Sequence, residues 1–238
     1  MGIVSIGEGD ALRVLSAGST QASLIAAARD FHAVTGCAFA FSFDTAGGVE
    51  KRAVVERADV IASSMDSLNA VAGAGGVDGQ PRCIGYAKIA MGVRVGEQPP
   101  DITTLDAFRT AVRNARSISR GDPAAGGTAG KHLVEAFTRL GLMEEVAAIS
   151  VLRVGGARVM AAVAEGLADL GFTQSTEIAP VEGVMIGGWL PPEVQLTTTY
   201  GVAVGAYAAK PHAAQVFLEW LATAQGTRHF TKAGFFPA

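Results

Sequence analysis

The chain has 238 residues, 49% hydrophobic and 17% charged, which suits a sizeable core in one large domain or two small lobes. A formal net charge of -3 and a pI near 5.8 exclude a general nucleic-acid binder, which needs a basic face, and 7% aromatics provide few rings for stacking single strands. No run reaches the roughly 18 consecutive apolar residues of a membrane span, so direct membrane insertion is not expected.

The opening MGIVSIGEGDALRVL has neither a basic leader nor an unbroken apolar run and does not read as a signal peptide. The chain is therefore expected to be cytoplasmic, or a mature form from which an export signal was removed. ALRVLSA (Ala11 to Ala17) predicts a buried strand. A helix follows over ASLIAAARDFHAVTG, where Leu24, Ala27, Ala28 and Phe31 share a face and Gly36 marks the stop. CAFAFSFD is the next strand, TAGG opens a short helix over VEKRAVVER, and ADVIASS is a third strand. This alternation implies a parallel α/β sheet. GYAKIAMGVRV reads as a strand, QPPD as a boundary, and ITTLDAFRTAVRNAR as a helix capped by Thr104 or Asp101.

The pattern then repeats: SISRGD as a strand, a glycine loop, and a helix from Lys131 to Leu140 ended by Gly141. AISVLRV, GGARVMAAVAEG and LADLGFTQ continue it, TTTYGVAVGAY is a late strand, and a last helix runs from Pro211 through AAQVFLEWLATAQ. No low-complexity linker divides the chain, so two lobes would have to be intertwined.

Several glycine-rich strand-to-helix entries share one construction. LSAGSTQ presents Ser16, Gly18, Ser19 and Thr20. DTAGGVEKR presents Thr45, Ala46 and Gly47, with Lys51 and Arg52 a turn later. GGTAGKH presents Gly126, Gly127, Thr128, Lys131 and His132, and VGGARV presents Arg158. Helix starts carry unpaired N–H groups and partial positive charge, so a cation in the first turn is locally unfavourable unless an anion shares the site. Glycine exposes the backbone, and hydroxyls donate without adding charge. Ser63 and Gln174, at the ends of their predicted strands, complete the candidate ligand contacts. Glu177 either caps or lines the same crevice, or sits in a solvated loop.

Other chemistries fail on spacing. AGGTAGKH misses a nucleotide P-loop at both ends, GAGGVDG opens no helix, and no G-x-S-x-G or HExxH occurs. Cys37 and Cys83 stand apart without zinc spacing, as two buried thiols or one disulfide. His32, His212 and His229 are scattered, which leaves His132 where chemistry could use it. No metal or cofactor is expected.

LSAGSTQASL, FSFDTAGGVEKR, RADVIASSMDSL, GDPAAGGTAGKH, VAEGLADLGFTQSTEI and the terminal AGFFP together resemble the molybdate-binding-like branch of the periplasmic solute-binding proteins, over nearly the whole chain. The resemblance implies a type II periplasmic-binding fold: two discontinuous α/β lobes, residues 1–84 with 204–238 and residues 85–203, closing on a ligand. The crossovers would lie near Ile84 to Val93 and Thr197 to Tyr207. Ser16 or Ser19 matches the family's first hydroxyl contact and Thr45 the second. Gly126 and Gly127 fall in its backbone-amide segment, and Ala157 beside the next one. Gln174 stands where the molybdate pattern has a Tyr, and Lys131, His132 and Arg158 add charge that pattern lacks. A guanidinium fork suits carboxylates, so an organic, polycarboxylic anion fits better than molybdate.

Two functions follow from the resemblance. One is a periplasmic, monomeric binding protein that captures a small anion for the membrane subunits of an ABC-type importer. The other is an isomerase on the same scaffold, like aconitate isomerase, with His132 as general acid/base and Glu177 or Asp44 as second choices.

Overall fold

The computed structural model describes residues 4–237 and divides into two compact units, Met1–Tyr86 with Thr198–Ala238, and Ala87–Thr197. Among the described residues no helix is long and apolar enough to cross a membrane.

In the first unit the chain runs through β1 (Val4–Ile6), β2 (Leu12–Ala17), α1 (Gln21–Thr35), β3 (Phe39–Asp44), α2 (Ala46–Ala53), β4 (Val60–Ser64) and α3 (Met65–Gly73). It then enters β5 (Val77–Arg94), whose second half belongs to the other unit. Gly36 ends α1 in the left-handed region at φ 74°, a backbone conformation that strains residues with a side chain. On the sheet, Leu12 and Val14 stand beside Phe39 and Phe41. Phe39 also meets Phe31 of α1 and Phe217, with ring centroids 6.1 and 4.8 Å apart. Leu15 and Ala17 turn to the opposite face, against Val49 of α2, Leu68 and Val71 of α3, and Ile61. Each such large apolar side chain contributes about 1.5–3 kcal/mol by leaving water.

The second unit holds α4 (Leu105–Asn114), β6 (Ile118–Gly121), α5 (Thr128–Arg139), α6 (Met143–Ala148), β7 (Ser150–Arg153), α7 (Gly156–Ala164), β8 (Leu170–Gln174), α8 (Ser175–Ile178) and β9 (Val184–Trp189). β10 (Thr197–Gly205), α9 (Pro211–Leu221) and α10 (Ala224–Lys232) complete the first unit. Phe108 of α4, Phe137 of α5 and Phe172 of β8 pack together on one face, Phe108 and Phe137 stacked at 6.0 Å. On the other face Met160 of α7 fills a gap above Gly92 and Gly171, where added Cβ atoms would come within 2.3 and 2.2 Å of its side chain.

The two units repeat one arrangement. β2 pairs in parallel with β3 and β4, and β10 lies antiparallel to β4. In the second unit β6 pairs in parallel with β7 and β8, and β5 lies antiparallel to β8. The sheets are thus mixed, which corrects the expectation of a wholly parallel sheet. Strand–helix alternation reports only consecutive crossovers, whereas β5 and β10 enter their neighbours' edges without one. In a further correction, the final predicted helix is two helices. Thr223 accepts from the Gly226 N–H at 3.2 Å, which caps α10 and breaks the run after Leu221. Thr104, one of two predicted caps, accepts from Ala107 N–H at 3.1 Å. Cys37 and Cys83 are free thiols, Cys37 half-buried and Cys83 exposed, so neither a disulfide nor a pair of buried thiols forms.

Arg116 clamps Asp169 through guanidinium bonds of 2.8 and 3.1 Å and holds its carboxyl below the ordinary value of 3.8, against the raising effect of partial burial. A depressed carboxyl contributes stability in full above its unfolded pKa and loses it as pH falls through the folded one. The stability advantage of the wild type over Arg116→Ala should therefore shrink below about pH 4, as read by urea unfolding at about pH 6 and about pH 3. A gap that stays constant between the two would contradict this.

Candidate functional site

In the first unit, parallel strands β2, β3 and β4 bring their C-terminal ends to one edge, where Ser16, Thr45 and Ser63 stand with the Gly18–Ser19 turn and the first turn of α2. The Ser16 hydroxyl is buried and closed into its own turn, 2.7 Å from Thr20 Oγ1 and donating to the Ala17 carbonyl at 3.0 Å. Ser19 is half-buried and has no side-chain hydrogen bond among the described residues, so it is the better placed of the two to donate outward. Thr45 caps α2, with Oγ1 accepting from Gly48 N–H at 3.2 Å. Its own N–H donates to Asp44 Oδ1 at 2.8 Å. Ala46 and Gly47 follow in the first turn, half-buried. Ser63 differs from all of these: it is completely buried at the end of β4, and its Oγ has no hydrogen-bond partner among the described residues.

Arg52 turns out to be committed within the protein. Its guanidinium grips Glu56 at 2.7 and 2.8 Å and touches Ser42 and Asp44 at 3.1 and 3.4 Å, which removes it from the pool of cations open to a ligand.

The second unit presents the corresponding ends of β6, β7 and β8. After β6, Asp122 accepts from Ala124 N–H at 2.9 Å, Gly126 takes φ 78°, and Gly127 leads into α5 with no side-chain cap. Helix α5 therefore starts at Thr128, three residues before the predicted Lys131. Lys131 is exposed. Gly121 and Gly130 meet backbone to backbone, which presses α5 onto β6.

His132 is half-buried, with Nε2 2.8 Å from the Val194 carbonyl. A carbonyl only accepts, so Nε2 carries the proton and the lone pair lies on Nδ1. One turn-pair later on the same helix face, Arg139 donates to the carbonyl of Glu193. His132 and Arg139 thus hold residues 193–194 against α5, a role that His132's expected place in the first turn did not reveal and that its actual place one turn further in explains.

After β7, Gly155 takes φ 89° and α7 begins at Gly156, with Arg158 exposed in its first turn. Glu177 resolves to a cap: Oε1 accepts from Gly156 N–H at 3.0 Å, and Oε2 accepts from Thr173 Oγ1 at 2.8 Å. Gln174 is buried at the end of β8. Two buried groups escaped the sequence reading. Thr176 has an Oγ1 without a partner among the described residues, although the polar run TQSTE after an apolar strand advertised it. Arg120 of β6 donates through Nε to Ser150 Oγ at 2.8 Å, and its Nη1 has no partner among the described residues. Burial lowers its pKa, against the nearby Asp122 charge.

The chain is similar to known proteins over nearly its whole length. The profile of the bacterial extracellular solute-binding proteins matches residues 12–236. Aconitate isomerase of a Pseudomonas species is 30% identical over 233 residues, covering 95% of this chain and 87% of its own. The periplasmic molybdate-binding protein of Azotobacter vinelandii superposes with a TM-score of 0.79 at 21% identity, covering 95% of this chain and 99% of its own. A sulfate-binding protein of Mycobacterium tuberculosis superposes with a TM-score of 0.76 at 18% identity, covering 97% and 88%. These likenesses identify the type II periplasmic-binding fold.

Proposed function

The chain belongs to the bacterial extracellular solute-binding protein family, and from that premise we propose that it captures a small anion without transforming it. The donors are the strand-end hydroxyls and amides: Ser19, Thr45 and Ser63 in the first unit, Gly126 to Thr128 in the second, with Lys131, Arg158 and Gln174 as further contacts. In this reading the protein works in the periplasm as a monomer and hands its ligand to the membrane subunits of an ABC-type importer.

The observation that carries the reading is Ser63. A buried hydroxyl without an acceptor costs about 1–3 kcal/mol, and its Oγ has no partner among the described residues. An anion is an acceptor-only ligand and would supply what Ser63 lacks. Replacing Ser63 by alanine should therefore leave the ligand-free melting temperature unchanged or slightly raised, while weakening anion binding about tenfold, worth ~1.4 kcal/mol. A thermal-shift and calorimetric panel of molybdate, tungstate, sulfate, citrate, cis-aconitate and trans-aconitate checks both. Absence of binding across the panel sinks the reading, and unaltered affinity in Ser63→Ala removes Ser63 from it.

The 30% identity to aconitate isomerase favours a second reading, in which the bound polycarboxylate has its double bond moved. With Nε2 donating to Val194, Nδ1 of His132 would be the atom that takes and returns the proton. NMR of either aconitate isomer incubated with the protein tests it. Interconversion that His132→Gln abolishes supports this reading, and unchanged substrate overturns it.

A further inference from the structure

Strands β2 and β6 hold the same place in their sheets, each paired in parallel with a strand on either side. One residue before the strand end, β2 carries Ser16, beside Phe43 and Ala62. At that place β6 carries Arg120, beside Leu152 and Phe172. Both face the helix that follows. Ser16 Oγ lies 2.7 Å from Thr20 Oγ1, just ahead of α1. Arg120 shares its face of the strand with Ile118, which belongs to one cluster with Leu133 and Phe137 of α5. Gly121, next to Arg120, meets Gly130 of α5 backbone to backbone.

The first unit thus fills this place with a neutral hydroxyl bonded within its own turn, and the second fills it with a cation. Arg120 is only 4% exposed. Its Nε donates to Ser150 Oγ, and that hydroxyl donates in turn to the Val146 carbonyl at 2.7 Å, so a neutral group holds the guanidinium. Nη1 is buried without a partner, and Arg120 makes no ion pair among the described residues. The Asp122 charge offsets it in part, from a half-buried position where Oδ1 is engaged by the Ala124 N–H. An arginine stays protonated through such burial, and a buried ion without a counter-ion is unfavourable in the free protein. Its field is screened less than that of a surface lysine and reaches further. The Gly126–Thr128 turn, which opens the same helix α5, has no side-chain cap.

Resting on the anion-binding reading above, we infer that Arg120 is the charge source that makes the second unit select multiply charged anions, di- and tricarboxylates or divalent oxyanions, over singly charged ones of the same shape. It acts through its field from beneath α5, without touching the ligand. The cost of burying it is carried by the free protein and recovered when a dianion arrives.

Calorimetry with pairs of matched shape that differ by one charge tests this: molybdate against perrhenate, succinate against succinamate, and cis-aconitate against its monoamide. In every pair that binds, the more highly charged member should bind tenfold or more tightly to the wild type. In Arg120→Met and Arg120→Gln that ratio should fall to threefold or less. Both variants should melt, without ligand, at or above the wild-type temperature, because each removes a buried charge that has no counter-ion. A purely structural arginine would do the opposite, so a lowered melting temperature or a failure to fold in both variants overturns the inference. A wild-type ratio under tenfold, or a ratio above threefold in either variant, overturns it as well and leaves the anion-binding reading standing. If the wild type binds none of these anions the inference falls, and if the earlier panel is also silent the anion-binding reading falls with it.

Discussion

Replacing Asp59 by alanine should lower the melting temperature by about 6–12 °C, a loss of about 3 kcal/mol at 2–4 °C per kcal/mol for a chain of this size. Asp59 is buried just ahead of β4, and its two carboxylate oxygens serve different parts of the first unit. Oδ2 accepts from Arg13 N–H in β2 at 2.8 Å, and Oδ1 accepts from Lys210 N–H, just before α9, at 2.9 Å. Its main chain joins in, donating to the Arg13 carbonyl at 2.8 Å and accepting from Gly205 N–H at 3.1 Å. Alanine keeps the main-chain bonds and strands two N–H donors, each costing about 1–3 kcal/mol where water is excluded. Water recovers part of this at the half-buried Lys210 end. Asparagine, with one acceptor oxygen, should fall between. Scanning calorimetry of the three proteins decides it, and a drop under about 2 °C for alanine would refute the argument.

Gly130→Val should cost about 3 kcal/mol as well, and it should also weaken anion binding, because it strikes the turn that opens α5. A Cβ at position 130 would lie 2.9 Å from the Gly121 carbonyl oxygen and 3.1 Å from its carbon. Those are backbone atoms of a central strand and cannot rotate aside, so α5 must lift from β6 and carry the Gly126–Thr128 turn with it. Overpacking of this kind costs about 1–3 kcal/mol, and a branched side chain sits at the upper end. Alanine meets the same backbone but gains about 1 kcal/mol of helix propensity over glycine, so it should be milder. Urea unfolding and citrate calorimetry on both variants test the two halves. Native-like stability in Gly130→Val would show that α5 is not pressed onto β6 as described.

Local features of the fold were legible wherever the deciding physics lay within a few residues. Alternation in FAFSFD set the face of β3, Gly36 stopped α1, and Thr104 capped α4. The candidate loops were legible for the same reason, since glycines, hydroxyls and first-turn cations advertise a helix start. What each polar side chain does there depended on partners far along the chain. Glu177 caps an amide 21 residues away, and His132 reaches a carbonyl 62 residues away. No periodicity encodes such distances. The antiparallel entries of β5 and β10 were hidden likewise, as was Gln195, whose side-chain amide trades hydrogen bonds of 3.0 Å with the Ile89 backbone in the manner of a strand. Arg52, offered as a cation for the site, is instead held by Glu56 one turn later, a pairing that spacing alone permits but does not require.

The grip of His132 and Arg139 on residues 193–194 has a mechanical side. The two side chains lie two turns apart on one face of α5, so the helix acts as a splint to which the segment leading to β10 is tied at two points. A displacement at the Gly126–Thr128 turn is thereby passed along a rigid rod to the stretch of chain that leaves the second unit, and a pull on that exit is felt back at the turn.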